Sequence, residues 1–294
     1  MKYTTTCLLI LLSVFALQTT AQQLPMIGMF YKTQLFYNPA FAGSTESVRA
    51  TLLHRAQWRN VPGAPSTQLF VVDAPVGRNV GAGLVVSRDQ IGNFTRYDIL
   101  ANASYRVYVN PESYFQAGIR AGVSLINIGE NLFQWDDNDP LYYGPSRKGT
   151  VPRIGAGLIY KTPIFYVGVS APDMLSVDSK KFFSSEAGNS SIKRNYTAMG
   201  GARFNLSEYI TLVPSALVVY YPSRPVMASA NLGFEFNQTV TIGAGYVTPK
   251  IVALSGMVAF TTKLKVGYRY EIGTSSSEIG KFSTNEFMLS YGLN

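Results

Sequence analysis

The sequence is poor in the residues that most catalytic and metal sites require. Its 294 residues include one cysteine and one histidine, and charged residues make up only 14%. Cys7 lies in an apolar N-terminal stretch, so the rest of the chain can form neither a disulfide nor a thiolate metal site. His54 alone cannot complete a metal site or a catalytic triad. We therefore expect no catalytic residue, no metal and no cofactor.

Two further deficits narrow the class of protein. No apolar run approaches the roughly 18 residues that a membrane-spanning helix needs. Intrinsic disorder requires low hydrophobicity and high charge, whereas hydrophobic residues here reach 47%. The chain must therefore fold, and it must do so without long apolar helices.

The first 21 residues have the three parts of a Sec signal peptide. Lys2 supplies the positive start, residues 7–17 form an apolar stretch that is too short to span a bilayer, and Ala21 ends a small-residue cleavage site. We expect the mature chain to begin near Gln22. A retained N-terminal anchor is the alternative interpretation.

Most of the mature chain alternates apolar and polar residues with the period of two that is typical of β-strands. In residues 263–272, for example, Val266 and Tyr268 point to one face, while Lys265 and Gly267 point to the other. Similar segments continue to the C-terminus and predict about 14 strands of about 10 residues, the length of a tilted membrane strand. We interpret as long loops the residues 130–150, 172–192 and 274–283.

Such alternation is compatible with a soluble sandwich or with an outer-membrane barrel. Aromatic residues near segment ends, polar faces rich in Gly, Ser, Thr and Asn, and alternating short and long connections favour the barrel. We predict an all-β fold, a transmembrane outer-membrane β-barrel of about 14 antiparallel strands. The predicted order is a signal peptide (1–21), an N-terminal segment (22–44) that is either a plug or a periplasmic contact, and the barrel (45–294).

Several short motifs occur in an order that points to one family. The most specific are residues 35–43 (LFYNPAFAG) and 55–58 (RAQW), followed by 62–67 (PGAPST). Gly-rich strand pieces and a closing NEFMLSY at 285–291 complete the series. Over nearly the whole mature chain, the series resembles the PorP/SprF family of outer-membrane proteins of the type IX secretion and gliding machinery. Asn195 and Asn285 stand where that family often has histidine, which indicates a divergent member.

The resemblance implies a non-enzymatic barrel that assists export or surface retention of a secreted adhesin-like protein through the C-terminal signal domain of that partner. It also implies contact with periplasmic type IX secretion subunits and with outer-membrane lipids. The formal net charge is +8, but no basic stripe or base-stacking fold accompanies it, so we expect no nucleic-acid partner. The alternatives are a passive pore or hydrophobic-solute channel, and a purely structural link to the periplasmic machinery.

The two specific motifs supply the candidate structural or partner-binding residues. These are Asn38, Pro39, Phe41, Gly43, Arg55, Gln57, Trp58 and Pro65. Asn-Pro favours a turn and glycine accepts a positive φ, so the first motif forms either a tight entry into the barrel or a plug. By alternation, Arg55 and Gln57 face the lumen, and Trp58 faces lipid as an interfacial anchor.

Charged residues on the predicted inner face are candidates for the lumen. These are Arg49, Arg120, Arg203, Glu235, Arg269 and Glu271. We expect Arg55 to pair with Glu235, Glu271 or Asp98; a positive lining that guides a passenger is the alternative. Residues 135–139 (WDDND) lack the glycine and glutamate of an EF-hand and are interpreted as a surface loop.

Overall fold

The computed structural model describes residues 25–45, 47–58, 61–129, 147–175, 194–222, 224–274 and 283–293. The predicted signal peptide and the WDDND motif lie outside the described residues. Within the described ranges, 15 strands form one sheet. They are β1 (Val48–Ala56), β2 (Ser66–Pro75), β3 (Val80–Ile91), β4 (Phe94–Asn110), β5 (Ser113–Ile128), β6 (Arg147–Lys161), β7 (Phe165–Asp173), β8 (Asn195–Ala202), β9 (Phe204–Asn205), β10 (Ile210–Tyr220), β11 (Met227–Phe236), β12 (Val240–Val247), β13 (Ile251–Ala259), β14 (Leu264–Gly273) and β15 (Ser283–Leu293).

The sheet closes on itself into a barrel. Neighbouring strands pair antiparallel, β15 pairs with β1, and β10 pairs with both β8 and β11. The two-residue β9 continues β8 beyond Arg203, because both pair with β10. The wall in the described residues therefore has 14 antiparallel spans, which confirms the predicted fold class. In the described residues every span therefore has a paired neighbour on both sides, as strands in lipid require, although the first residues of β6 extend beyond its pairing with β7.

Three neighbouring strands are longer than the sequence analysis predicted. β4, β5 and β6 have 17, 16 and 15 residues. β6 begins at Arg147, inside the predicted loop 130–150, and β7 continues through Pro172 and Asp173, inside the predicted loop 172–192. Both loop predictions were too long. Their polar, Gly- and Pro-containing ends resemble loops, but the long β5 supplies pairing partners as far as Arg147.

The connections at the two ends of the barrel differ in length. Residues 76–79, 111–112, 162–164, 206–209, 237–239 and 260–263 link strands at one end, where β1 also begins. The other end carries the longer connections 57–65, 129–146, 174–194 and 274–282. Short turns are periplasmic and longer loops extracellular in outer-membrane barrels, which orients this one.

The two faces of the wall have opposite character. Outward-facing Ile119 and Leu254 are each 67% exposed, whereas inward-facing Arg120 and Ser124 are buried. Apolar residues outside and polar residues inside are the reverse of the arrangement in a soluble barrel, and they match a wall whose outer face meets lipid. None of the helical turns in the described part of the chain has the length and apolar character needed to span a bilayer.

Candidate functional site

Residues 25–44, here called the N-terminal segment, lie inside the barrel. The segment contains two 3-10 turns, Phe30–Lys32 and Pro39–Phe41, and between them one turn of α-helix, α1 (Gln34–Tyr37). Its buried apolar residues form one core with inward-facing wall residues. The members from the segment are Ile27, Met29, Phe30, Leu35, Phe36, Tyr37, Ala40, Phe41 and Ala42. The middle of the lumen is thus a packed core.

Asn38 and Pro39 join the segment to the wall. The Asn38 side chain accepts a hydrogen bond from the Ala40 N–H (2.9 Å), and Pro39 occupies the first position of the 3-10 turn, where a missing N–H costs nothing. Asn38 Nδ2 also donates to the carbonyls of Leu158 (3.3 Å) and Val169 (3.2 Å), which are opposed on β6 and β7. The same residue therefore forms the turn and fixes it to two strands.

Arg120 on β5 holds the backbone of α1. Its guanidinium donates to the carbonyls of Phe36 (3.0 Å) and Leu35, and Nε donates to Asn102 Oδ1 (2.8 Å). Arg120 is 2% exposed and has no carboxylate within 4.0 Å among the described residues. This lumen candidate therefore acts on segment carbonyls rather than on another charged group.

Other wall residues bind the end of the segment. Ser104 and Gln116 each donate to the Ala42 carbonyl at 2.7 Å, and Arg106 donates to the Gly43 carbonyl at 2.9 Å. Together with Arg120, they satisfy backbone acceptors that would otherwise be buried without partners. These contacts depend on the backbone path of the segment, so they select its conformation as well as its position.

Two glycines allow the segment to approach the wall. A Cβ at Gly118 would overlap the backbone of Pro39 and Ala40. Gly43 has a φ of +60° and lies against Ala74 and Gly81, so it needs both a left-handed backbone and the missing side chain. Phe41 is buried and packs edge-to-face on Tyr166, with ring centroids 5.4 Å apart.

Glu286 anchors the other end of the segment. Its carboxylate accepts hydrogen bonds from the N–H groups of Gly28 (2.8 Å) and Met29 (2.6 Å) and from Arg55 Nη1 (3.0 Å). Arg55 also pairs with Glu271 at 2.7 Å. Glu286 is fully buried and Arg55 is 5% exposed. Ion pairing and hydrogen bonding together offset the cost of burying these charges.

Of the three partners expected for Arg55, only Glu271 is correct. Glu235 pairs with Arg203 (2.5 Å), and Asp98 pairs with Arg96 (3.3 Å) and Arg153 (3.2 Å). Glu286, which was not among the predicted lumen residues, opposes Arg55 across the seam where β15 meets β1. Arg269 extends this network, since it pairs with Glu271 (2.9 Å) and donates to Asn231 (3.1 Å).

A second buried ionic cluster lies on the opposite wall. Arg153 pairs with Asp98 and with Asp173, which also accepts a hydrogen bond from Asn195 (2.7 Å). A register shift between Ser170 and Asp173 brings the Asp173 side chain inward. Sequence reasoning missed Arg153, although its alternation with Gly155 and Gly157 places it on the inner face. In the described residues, no group of three His, Cys, Asp or Glu could hold a metal ion.

The periplasmic end of the lumen is positively charged. Lys32 of the segment lies among Lys265, Arg49, Arg203 and a single carboxylate, Glu235. Burial, together with the positive charges of Lys265 and Arg49, lowers the pKa of Lys32 to about 8, although Glu235 opposes the shift. Arg49 is exposed, and the Arg203 side chain is 47% exposed, so this end is open to water.

Gln57, Trp58 and Pro65 lie in the extracellular connection between β1 and β2. β1 ends at Ala56, and Trp58 has a φ of +49°, so strand alternation does not continue into these residues. Alternation therefore does not assign a face to Gln57 or Trp58, and their lumenal and lipid-facing positions stay predictions. The Gln57 N–H donates to the carbonyl of the buried Pro65 at 2.9 Å, and Trp58 is 38% exposed. These motif residues close the hairpin between β1 and β2, whereas residues 35–43 pack inside the barrel.

Comparison with known proteins relates this architecture to two groups. Residues 19–293 match the family described as type IX secretion system membrane protein PorP/SprF. The solved structure of the CymD monoaromatic hydrocarbon channel is 14% identical, with a TM-score of 0.51, over 92% of this chain and 94% of that chain. The Ralstonia pickettii toluene transporter TbuX is 11% identical, with a TM-score of 0.53, over 87% and 92%. Identities this low show a shared fold alone. No curated protein sequence matches the chain.

Proposed function

Because the chain belongs to the PorP/SprF family of type IX secretion system membrane proteins, we propose that this outer-membrane barrel assists the export or surface retention of a secreted protein without catalysing a reaction. The proposed partner is an adhesin-like protein that engages the barrel through its C-terminal signal domain. Periplasmic subunits of the secretion system are the second class of partner. Membership of the family, over residues 19–293, is the observation that carries this proposal.

The N-terminal segment supports a protein partner over a small solute. Its apolar core fills the middle of the lumen, and Arg120, Gln116 and Glu286 bind its backbone. A channel of this form would have to break many buried hydrogen bonds for each opening. We propose that the segment is a plug, and that the wall holds it in place while the two ends of the barrel meet proteins.

The two ends of the barrel suit different partners. Lys32, Arg49, Arg203 and Lys265 give the periplasmic end a positive field that favours an acidic surface on a periplasmic subunit. The longer connections lie at the extracellular end, where a surface-retained protein would meet the barrel. We propose that the connection between β1 and β2 shapes this end, since the hydrogen bond from the Gln57 N–H to the Pro65 carbonyl closes the hairpin.

The test is deletion of the gene, followed by measurement of the secreted and surface proteins and of hydrophobic-solute uptake in the same cells. We expect one large protein to disappear from the medium or the surface while uptake is unchanged. Complementation with the wild-type gene should restore it, and complementation with an empty vector should not. An unchanged set of secreted proteins would contradict the proposal.

A hydrophobic-solute channel is the second candidate, and the fold shared with CymD and TbuX favours it. Its support is weaker than that for secretion, because the likeness is one of fold. Loss of uptake of an aromatic hydrocarbon in the deletion strain, with unchanged secretion, would support this candidate instead.

A further inference from the structure

Three rows of residues cross the outer face of β15, β1, β2, β3 and β4 near the extracellular end. Strand register places the members of each row directly opposite one another. The upper row, nearest the rim, is Asn285, Ala56, Ser66, Gln90 and Thr95. The middle row is Phe287, His54, Gln68, Arg88 and Tyr97. The lower row is Leu289, Leu52, Phe70, Val86 and Ile99. Polarity falls from the rim towards the centre of the membrane.

Arg88 is the charged centre of this surface. Its Nε donates to the Tyr97 hydroxyl at 3.2 Å and Nη2 donates to Gln90 Oε1 at 2.5 Å. No carboxylate lies within 4.0 Å of the guanidinium in the part of the chain that the structure describes. The arginine is therefore oriented by neutral groups, and its charge has no counterion from those residues.

An outward-facing arginine of this kind is unusual for this barrel. Among the outward-facing strand residues in the described ranges, the only other residue that is always charged is Lys148 on β6. An arginine on the lipid face costs about 2–4 kcal/mol at the midplane and close to nothing near the interface. The position of Arg88, three residues from the extracellular end of β3, fits the interfacial layer where lipid phosphates lie.

A groove of about 660 Å³ opens along the same surface. His54, Gln68 and Arg88 form its polar side, and Leu52, Phe70 and Leu289 are among its apolar lining. The order of the rows places the polar side towards the rim and the apolar lining towards the membrane centre. A ligand that matches this groove has an anionic head and a hydrocarbon tail.

We propose that this groove binds one phosphorylated lipid of the outer leaflet. The phosphate would accept hydrogen bonds from Arg88, with His54 and Gln68 beside it, and an acyl chain would lie on the apolar lining. Arginine suits phosphate because its planar donors bind two oxygens at once. The site is separate from the lumen and independent of the proposed secretion function.

The test measures binding of bis-phosphorylated lipid A to the full mature chain in phosphatidylcholine nanodiscs. Native mass spectrometry gives the number of bound lipids, and a titration gives their affinity. We expect one tightly held lipid A, and about a tenfold loss of affinity in Arg88→Gln, the effect of one charge-assisted contact. Lys148→Gln removes the same charge from the same face and should bind as the wild type does.

Two further binding measurements show which part of the lipid the groove recognises. Lipid A with the same acyl chains but no phosphate should bind the wild type about tenfold more weakly. Inorganic phosphate up to millimolar concentration should not displace the lipid, since it lacks the chains. Should Arg88→Gln fail to give a heat-modifiable barrel, Arg88→Lys retains the charge, loses the planar donor pair and should bind several-fold more weakly.

Three results would overturn the proposal. Equal losses in the Arg88 and Lys148 variants would indicate diffuse charge attraction. Equal affinity for the phosphate-free lipid would leave Arg88 without a role. Unchanged lipid binding in the Arg88 variant, together with loss of a co-purifying protein, would make this surface a protein interface.

Discussion

Glu286→Gln should release the N-terminal segment while leaving the barrel closed. The wild-type carboxylate accepts from three donors, the N–H groups of Gly28 and Met29 and one nitrogen of Arg55. A glutamine has nearly the same volume but only one acceptor oxygen, and its amide nitrogen would face a donor. At least one of the three buried donors must then lose its acceptor.

The expected cost follows from the burial of Glu286, which is 0% exposed. A hydrogen bond to a charged group, lost so that a buried donor remains unpaired, costs about 2–4 kcal/mol. Since 1.4 kcal/mol is a factor of ten, local opening of the segment should become about 30- to 700-fold more frequent. Arg55 keeps its ion pair with Glu271 at 2.7 Å, so the seam between β15 and β1 should survive.

Glu235→Gln is the matched control. It is the same substitution on the same face, but the partner Arg203 is 47% exposed and the pair lies at the open periplasmic end. Glu235 itself is buried, but water reaches Arg203, so the loss should lie near the roughly 0–1 kcal/mol that exposed ion pairs contribute. Lys32 loses its one nearby carboxylate, but Gly28 and Met29 keep their hydrogen bonds to Glu286, so exchange of these two amides should change far less than in Glu286→Gln.

Hydrogen exchange of the Gly28 and Met29 amides measures the opening directly, and heat-modifiability on gels reports whether the barrel remains folded. Exchange at these amides that is much faster in Glu286→Gln than in Glu235→Gln is the expected result. Equal exchange at Gly28 and Met29 in the wild type and in Glu286→Gln would refute the role assigned to this carboxylate.

Three further predictions concern the segment and the wall. Gly118→Ala should displace the segment, because the new Cβ would overlap the backbone of Pro39 and Ala40. The control is Gly256→Ala, whose Cβ would have no atom within 4 Å and should leave the segment in place. Protease sensitivity of residues 25–44 measures the difference. The pKa of Lys32 is lowered from 10.5 to about 8, so the docked segment disfavours the charged amine. Docking should therefore strengthen as the pH rises through 8 and level off near 10.5. Protease protection of the segment that weakens from about pH 7 to about 9.5 would contradict this sign. Val266→Arg should weaken the barrel by up to about 2–4 kcal/mol because Val266 faces lipid. Gly267→Ser should cost less, because the atoms nearest to the new Cβ are the flexible ends of Met288 and Met29. Equal shifts in heat-modifiability would show the faces to be wrong.

The fold and the faces of the strands were predictable because they depend on local pattern. Alternation with a period of two places Val266 and Tyr268 outside and Gly267 and Arg269 inside, whatever the rest of the chain does. The pattern loses its meaning where a strand ends. Alternation therefore assigns no face to Gln57 and Trp58, because β1 ends at Ala56 and nothing in the pattern marks that end.

The sequence by itself therefore determined a closed outer-membrane barrel, its family and the inner position of Arg55, Arg120 and Arg269. Only the tertiary structure decided which groups meet inside it. Arg55 and Glu286 are 231 residues apart and become neighbours because the last strand pairs with the first. Arg120 reaches the carbonyls of α1 because wall glycines let the segment enter the lumen. An alternating pattern shows that a charged residue faces inward but not which other charged residue it contacts. The distances that select each partner are set by strand register, by closure of the barrel and by the path of the segment.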